Sequence, residues 1–188
     1  MGTPKGRQLA KIPGKIILDP TDLDAADPYG GTEFGFTRDQ DFGFGQKDRP
    51  IRAEEFGCVV ESVLGRAEPI FAAVLRTWDD DALATVFPDT ETGSSGRVIV
   101  HGRVKGSGVV RPGALVSGRA VKVLFVPESP DRYPWLILYR ALPAIAETAS
   151  LRLAVDESLG IGVVFRAIPD TSDPVRLYDI GYRGDLTL

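Results

Sequence analysis

Residues 57–88 constrain this chain more than any other stretch: two short apolar runs parted by a Gly-Arg pair, then three consecutive carboxylates. Cys58 to Leu64 is rich in β-branched side chains, which suit a pleated surface, and it stops at Gly65-Arg66. Pro69 to Trp78 is a second apolar run, so the order predicts strand, turn and longer strand, a hairpin. Asp79, Asp80 and Asp81 then precede Ala82, Leu83, Val86 and Phe87. Carboxylates in that place accept hydrogen bonds from the free N–H groups of a helix start and meet the positive end of its dipole. Leu83, Val86 and Phe87 form one apolar stripe, and Pro88 cannot continue a helix. A helix over 79–87 is expected, too short to stand alone and so packed on a sheet.

The rest of the chain is punctuated for β-structure. Its 188 residues include 21 glycines and 14 prolines, which favour short strands and turns over a helical bundle. Strands are expected at Lys15–Leu18, Arg97–His101, Leu115–Val126, Leu136–Leu142, Leu151–Val155, Val163–Ile168 and Leu177–Tyr182. Within Leu115–Val126, Val121, Val123 and Phe125 share one face and Leu124 and Val126 the other. In the next strand, alternation sets Leu136, Leu138 and Arg140 against Ile137, Tyr139 and Ala141. Ala141 to Ala149 has helical propensity, but Pro143 in its middle argues against a helix. The class is mainly β: a β-sandwich or barrel-like domain over 14–188, with one flanking short helix and an irregular arm over 1–13.

Charge is unevenly placed. The first 18 residues carry Lys5, Arg7, Lys11 and Lys15 and no acid, whereas from Asp19 to Glu55 acids outnumber Arg38, Lys47, Arg49 and Arg52. A basic arm followed by an acidic segment can attract its counterpart in a neighbouring copy; a solvated tail and a solvated loop are the plainer reading. The segment 19–56 reads as one long polar loop broken by Pro28, Gly30, Gly31, Gly35, Gly43, Gly45 and Pro50. Inside it Phe34 and Phe36, then Phe42 and Phe44, form two alternating pairs. Excursions of that length in a compact domain usually carry function or contact a partner, and exposed aromatics point the same way.

The inventory for chemistry is thin. His101 is the sole histidine and lies in an expected strand with no serine or cysteine near it in sequence. Cys58 is the sole cysteine, so neither an internal disulfide nor a cysteine-rich zinc site is available. Asp19, Asp22, Asp24 and Asp27 resemble a calcium loop only superficially, lacking the sixth-position glycine and twelfth-position glutamate. The glycines at Gly43-Phe44-Gly45 and Gly102 to Gly108 lack the Gly-Lys-Ser/Thr ending of a phosphate loop. No catalytic, metal or cofactor residue is therefore assigned, and the chain reads as a non-enzyme. A net charge of −4 argues against a general nucleic-acid binder. No apolar run is long enough for a membrane helix, and the first residues lack the apolar core of a secretion signal.

Gly14 to Leu23, followed by Pro28-Tyr29-Gly30-Gly31-Thr32 and Gly35-Phe36-Thr37, resembles the opening of bacteriophage tail tube (major tail) proteins. Glu54 to Gly57, Val63 to Glu68 and Trp78 to Phe87 are similar to the hairpin and helix that follow in that family, and Val163 to Ile168 with Tyr178 to Gly181 to its closing strands. The resemblance implies a β-sandwich with a flanking helix that assembles into rings, generally hexameric. The rings stack into a hollow tail tube in the virion, assembled in the host cytoplasm. Viral DNA is ejected through it without specific binding. The implied partners are further copies of itself and the tape-measure, terminator and baseplate proteins, with no cofactor and no membrane. By the same resemblance the long loop and the arm bind the next ring, which assigns inter-subunit contact to Lys5, Arg7, Lys11, Tyr29, Phe34, Phe36, Phe42, Phe44, Arg49 and Arg52. Removing residues 22–52 would then leave a folded subunit unable to polymerise.

Two other readings stand beside this one. The same fold serves tail terminators, distal tail proteins and baseplate proteins. A β-sandwich ligand-binding module would instead need an exposed aromatic platform, for which Trp78 and Trp135 are the tryptophan candidates.

Overall fold

The computed structural model describes residues 12–45, 48–52, 59–64, 68–77, 80, 84, 90–100, 119–145, 160–171 and 175–188. Eleven strands fall in these ranges: β1 (Gly14–Leu18), β2 (Thr32–Gly43), β3 (Asp48–Arg52), β4 (Val59–Leu64), β5 (Ile70–Leu75), β6 (Thr90–Thr92), β7 (Val98–Val100), β8 (Val121–Pro127), β9 (Trp135–Ile145), β10 (Ile161–Ala167) and β11 (Tyr178–Gly181). The order β10-β5-β2-β1-β8-β9 is antiparallel throughout, and β10 pairs again with β9, so six strands close into a barrel. Closure removes the exposed edges that an open sheet of these strands would leave.

Alternation decides what fills the barrel. From β1, Ile16 and Leu18 point in; from β8, Val121, Val123 and Phe125; from β10, Val163, Phe165 and Ala167. Phe34, Phe71, Phe125 and Phe165 meet at the centre, with Phe34 edge-on to Phe165 at 5.8 Å and Phe71 stacked on it at 6.2 Å. A small barrel has room for little more than such side chains, and the interior is core. The opposite faces of β1, β8 and β9 carry a second cluster, in which Ile17, Leu124, Val126, Trp135, Ile137 and Tyr139 are buried beneath Leu23 and Tyr29. Leu186 and Leu188 pack on the same cluster.

β9 is gripped by three strands. β8 runs along one side of it; on the other, β11 pairs with Trp135–Leu138 and β10 with Ala141–Ile145. Where Val121 opposes Ala141 and Val123 opposes Leu138, β9 holds an extra residue, a bulge that reverses its alternation. Ala141 therefore joins Leu136 and Leu138 in the core instead of lying opposite them.

Two sequence expectations fail for a shared reason. Cys58–Leu64 and Pro69–Trp78 do not fold back on one another: β4 pairs with β3, and β5 with β2 and β10. Phe42 opposes Phe71 and Gly43 opposes Ile70; next, the Glu68 amide donates to the Gly45 carbonyl at 3.3 Å; then Asp48 opposes Leu64. The β3–β4 pair is thus a ribbon that continues the β2–β5 pairing, and Gly65-Arg66 falls outside the described residues. The second failure is the loop over 19–56. Its middle is the twelve-residue strand β2, which lines the barrel with Phe34 and Phe42. Glycines and acids disguise that strand, and two register irregularities, one beside Ile16/Ile17 and one between Thr37 and Asp39, break its alternation. Removing 22–52 would therefore take out a barrel strand and unfold the chain. The helix expected over 79–87 lies largely outside the described residues, as do the strand over 151–155, Cys58, Trp78 and His101.

Candidate assembly surface

The structure sorts the residues assigned to inter-subunit contact into three groups. Tyr29 and Phe34 are buried, the former edge-on to Trp135 at 5.4 Å and the latter in the barrel, and Phe42 is also core. Burial within a single chain corrects their assignment as contacts, because a ring enclosed by its own fold has no surface to offer. Phe36 is half-buried, whereas Phe44 is 51% exposed. Lys5, Arg7 and Lys11 lie outside the described residues, and Arg49 and Arg52 are placed only as positions on β3.

Phe44 belongs to an apolar patch at one mouth of the barrel. Its ring meets Phe42 at 5.0 Å and Tyr178 at 5.8 Å, and Phe42 meets Tyr178 at 5.1 Å. Ile70, which is 37% exposed, opposes Gly43 beside it. Val175 and Tyr182, at 61% and 44% exposure, bracket β11 on the same strand path. These four are the exposed large hydrophobic residues among the described ones, and all of them border β11 or the start of the ribbon. Sequence reasoning named only Phe44. Ile70 and Tyr182 sit in runs that read as ordinary strand and Val175 between two such runs, and no local pattern shows which strand end opens to solvent.

The ribbon leaves from this mouth. Gly45 holds the turn in its path at a φ of +57°, and a Cβ there would come within 2.0 Å of the Glu68 carbonyl oxygen. Glycine alone tolerates both demands. Beyond it, β3 and β4 pair with each other and with no other described strand.

β11 is fastened from outside by a polar cluster. The Arg176 guanidinium lies over the Tyr139 ring at 3.7 Å and donates to the Tyr139 hydroxyl, to Asp179 Oδ2 at 3.0 Å and to the Thr187 carbonyl at 3.2 Å. The Tyr139 hydroxyl in turn bonds the Asp179 carboxylate and the Thr187 carbonyl. Burial first, and then the hydrogen bond and charge of Asp179, push the Tyr139 hydroxyl well above the ordinary phenol range. Every member of the cluster is engaged by another, so it acts as a clasp for β11 and residues 186–188 and presents no vacant acid or base.

The acids of the 19–31 segment are similarly occupied. Asp19 accepts from the Lys122 amide and Asp22 from the Asp24 amide, each at 2.8 Å, and Asp27 pairs with Lys15. Arg183 lies over Tyr29 and Trp135 at 5.7 and 5.9 Å and reaches Asp24 at 3.9 Å. Among the described residues no three potential metal ligands come together.

No protein-family model and no curated protein matches this chain.

Proposed function

We propose that this chain is the structural subunit of a phage tail tube, in which copies join side by side into rings, six to a ring, and the rings stack into a conduit for DNA. The observation that carries the reading is the ribbon. A filled barrel is complete in itself, but a two-stranded ribbon is at best marginally stable in water without a surface to lie on. A subunit that sends one past its own barrel mouth, beside a rim of exposed apolar side chains, is built to meet another subunit. The resemblance of the chain to tail tube proteins gives that meeting its form, and terminators, distal tail proteins and baseplate proteins share it. A net charge of −4 suits a wall past which DNA must slide, since each lysine or arginine on a phosphate adds affinity. Electron microscopy of the purified chain over a range of concentrations tests the reading. Rings or tubes are expected, and particles that stay single-subunit at every concentration would overturn it.

A further inference from the structure

We propose that the outer edge of β11 is a docking strand for the β3–β4 ribbon of a second copy of this chain. The inference rests on the self-assembly reading above and names the contact that reading lacks. Antiparallel pairs exchange main-chain hydrogen bonds at alternate residues. The Tyr139 amide donates to the Leu177 carbonyl at 3.2 Å, so the register of β11 on β9 turns the N–H and C=O groups of Asp179 and Gly181 toward β9. Those of Tyr178 and Ile180 face the other way, where no described strand pairs with β11. Such an edge is a template for one more strand, and it is short, as exposed edges in soluble proteins tend to be.

The surroundings of the edge favour this occupant. Val175 and Tyr182 stand exposed at the two ends of β11, and Phe44 touches Tyr178 from the side. A strand laid there would cover apolar surface as well as main-chain groups. The ribbon supplies what is needed: its outer edges have no described partner, and its sequence carries Ile51, Val59, Val60, Val63 and Leu64, apolar residues to set against those beside β11. Among the described residues the ribbon continues the β2–β5 register and pairs with no barrel strand.

Two complementary variants test the contact. Ile180→Pro removes an outward N–H without costing β9 a bond, and the double variant Val175→Lys, Tyr182→Lys blocks the same edge should the proline disturb folding. In the second chain, residues 46–67 are replaced by Asn-Gly, which joins Gly45 to Glu68 with a tight turn and leaves the edge intact but no ribbon. Far-UV circular dichroism verifies folding, and sedimentation velocity reads assembly. Neither variant alone is expected to form tubes. Mixed, they are expected to form a one-to-one complex, because one supplies the ribbon and the other the edge. Two ribbonless chains should bind each other at least about 100-fold more weakly, given the main-chain bonds forgone. If the unmodified chain assembles but the edge-blocked variants assemble equally well, or the mixture stays unpaired, the β11 contact is wrong and the tube reading survives. If the unmodified chain never assembles, both fall.

Discussion

Replacing Tyr139 by Phe removes one hydroxyl from the clasp and leaves the ring, its burial and its stacking on Arg176 in place. The hydroxyl bonds the Asp179 carboxylate and the Thr187 carbonyl. A hydrogen bond to a charged group contributes about 1.5–3 kcal/mol, and the side chains of Arg176 and Asp179 keep 30% and 44% exposure, so solvent screening favours the lower end. The expected loss at neutral pH is about 1.5 kcal/mol, which in a domain of this size lowers Tm by roughly 3–6 °C. The pH dependence supplies a second readout. The folded-state pKa of Tyr139 is raised, so its contribution is fully present below the unfolded value of about 10 and is lost as pH rises from there toward the folded value. Above pH 10 the unmodified chain should lose up to about 1.4 kcal/mol per pH unit more than the variant, and the gap between them should close. Scanning calorimetry of both chains at pH 7, 9, 10 and 11 measures this. A variant as stable as the parent at pH 7, or a gap that stays constant through pH 11, would refute the assigned bonds and burial.

Phe34→Ala empties the barrel centre beside Phe165 and should cost about 3–5 kcal/mol in denaturant unfolding. Gly14→Ala would place a Cβ within 2.5 Å of the Val126 carbonyl oxygen, so the β1–β8 pair must open and Tm should fall measurably. Phe44→Lys leaves a residue already 51% exposed, and its Tm should move by little beyond the edge-on contact with Phe42, about 1 kcal/mol, while ring or tube formation is lost in electron micrographs.

How much of this was legible in the sequence depended on whether a strand kept its phase. β8 has no inserted residue in its inward-facing run, and Val121, Val123 and Phe125 fall inward as alternation dictates. β9 carries the bulge opposite Val121–Val123, so the same rule placed Ala141 on the wrong face. β2 was hidden further, since its glycines, acids and two register shifts erase the period, and the alternating pairs Phe34 with Phe36 and Phe42 with Phe44 were the surviving signal. That β4 and β5 pair with earlier strands and not with each other had no local signature either. A glycine between two apolar runs fits a reversal and a continuation equally well, and only the partners β2 and β3, earlier in the sequence, decide it. The clasp was illegible for a related reason: Tyr139 and Arg176 are brought together by pairing between segments far apart in the chain.

That long-distance pairing has a cost in time. Gly14 must find Pro127, and Phe71 must find Phe165, before the barrel can close. Contacts so far apart in sequence make folding slow, because the entropy of closing large loops is lost before the pairs they create can compensate. During synthesis, β1, β2 and β5 emerge well ahead of β8, β9 and β10, and until those arrive the early strands show bare edges to solvent. Protection for this chain is therefore expected to matter most while roughly its first two thirds have left the ribosome and the last third has not.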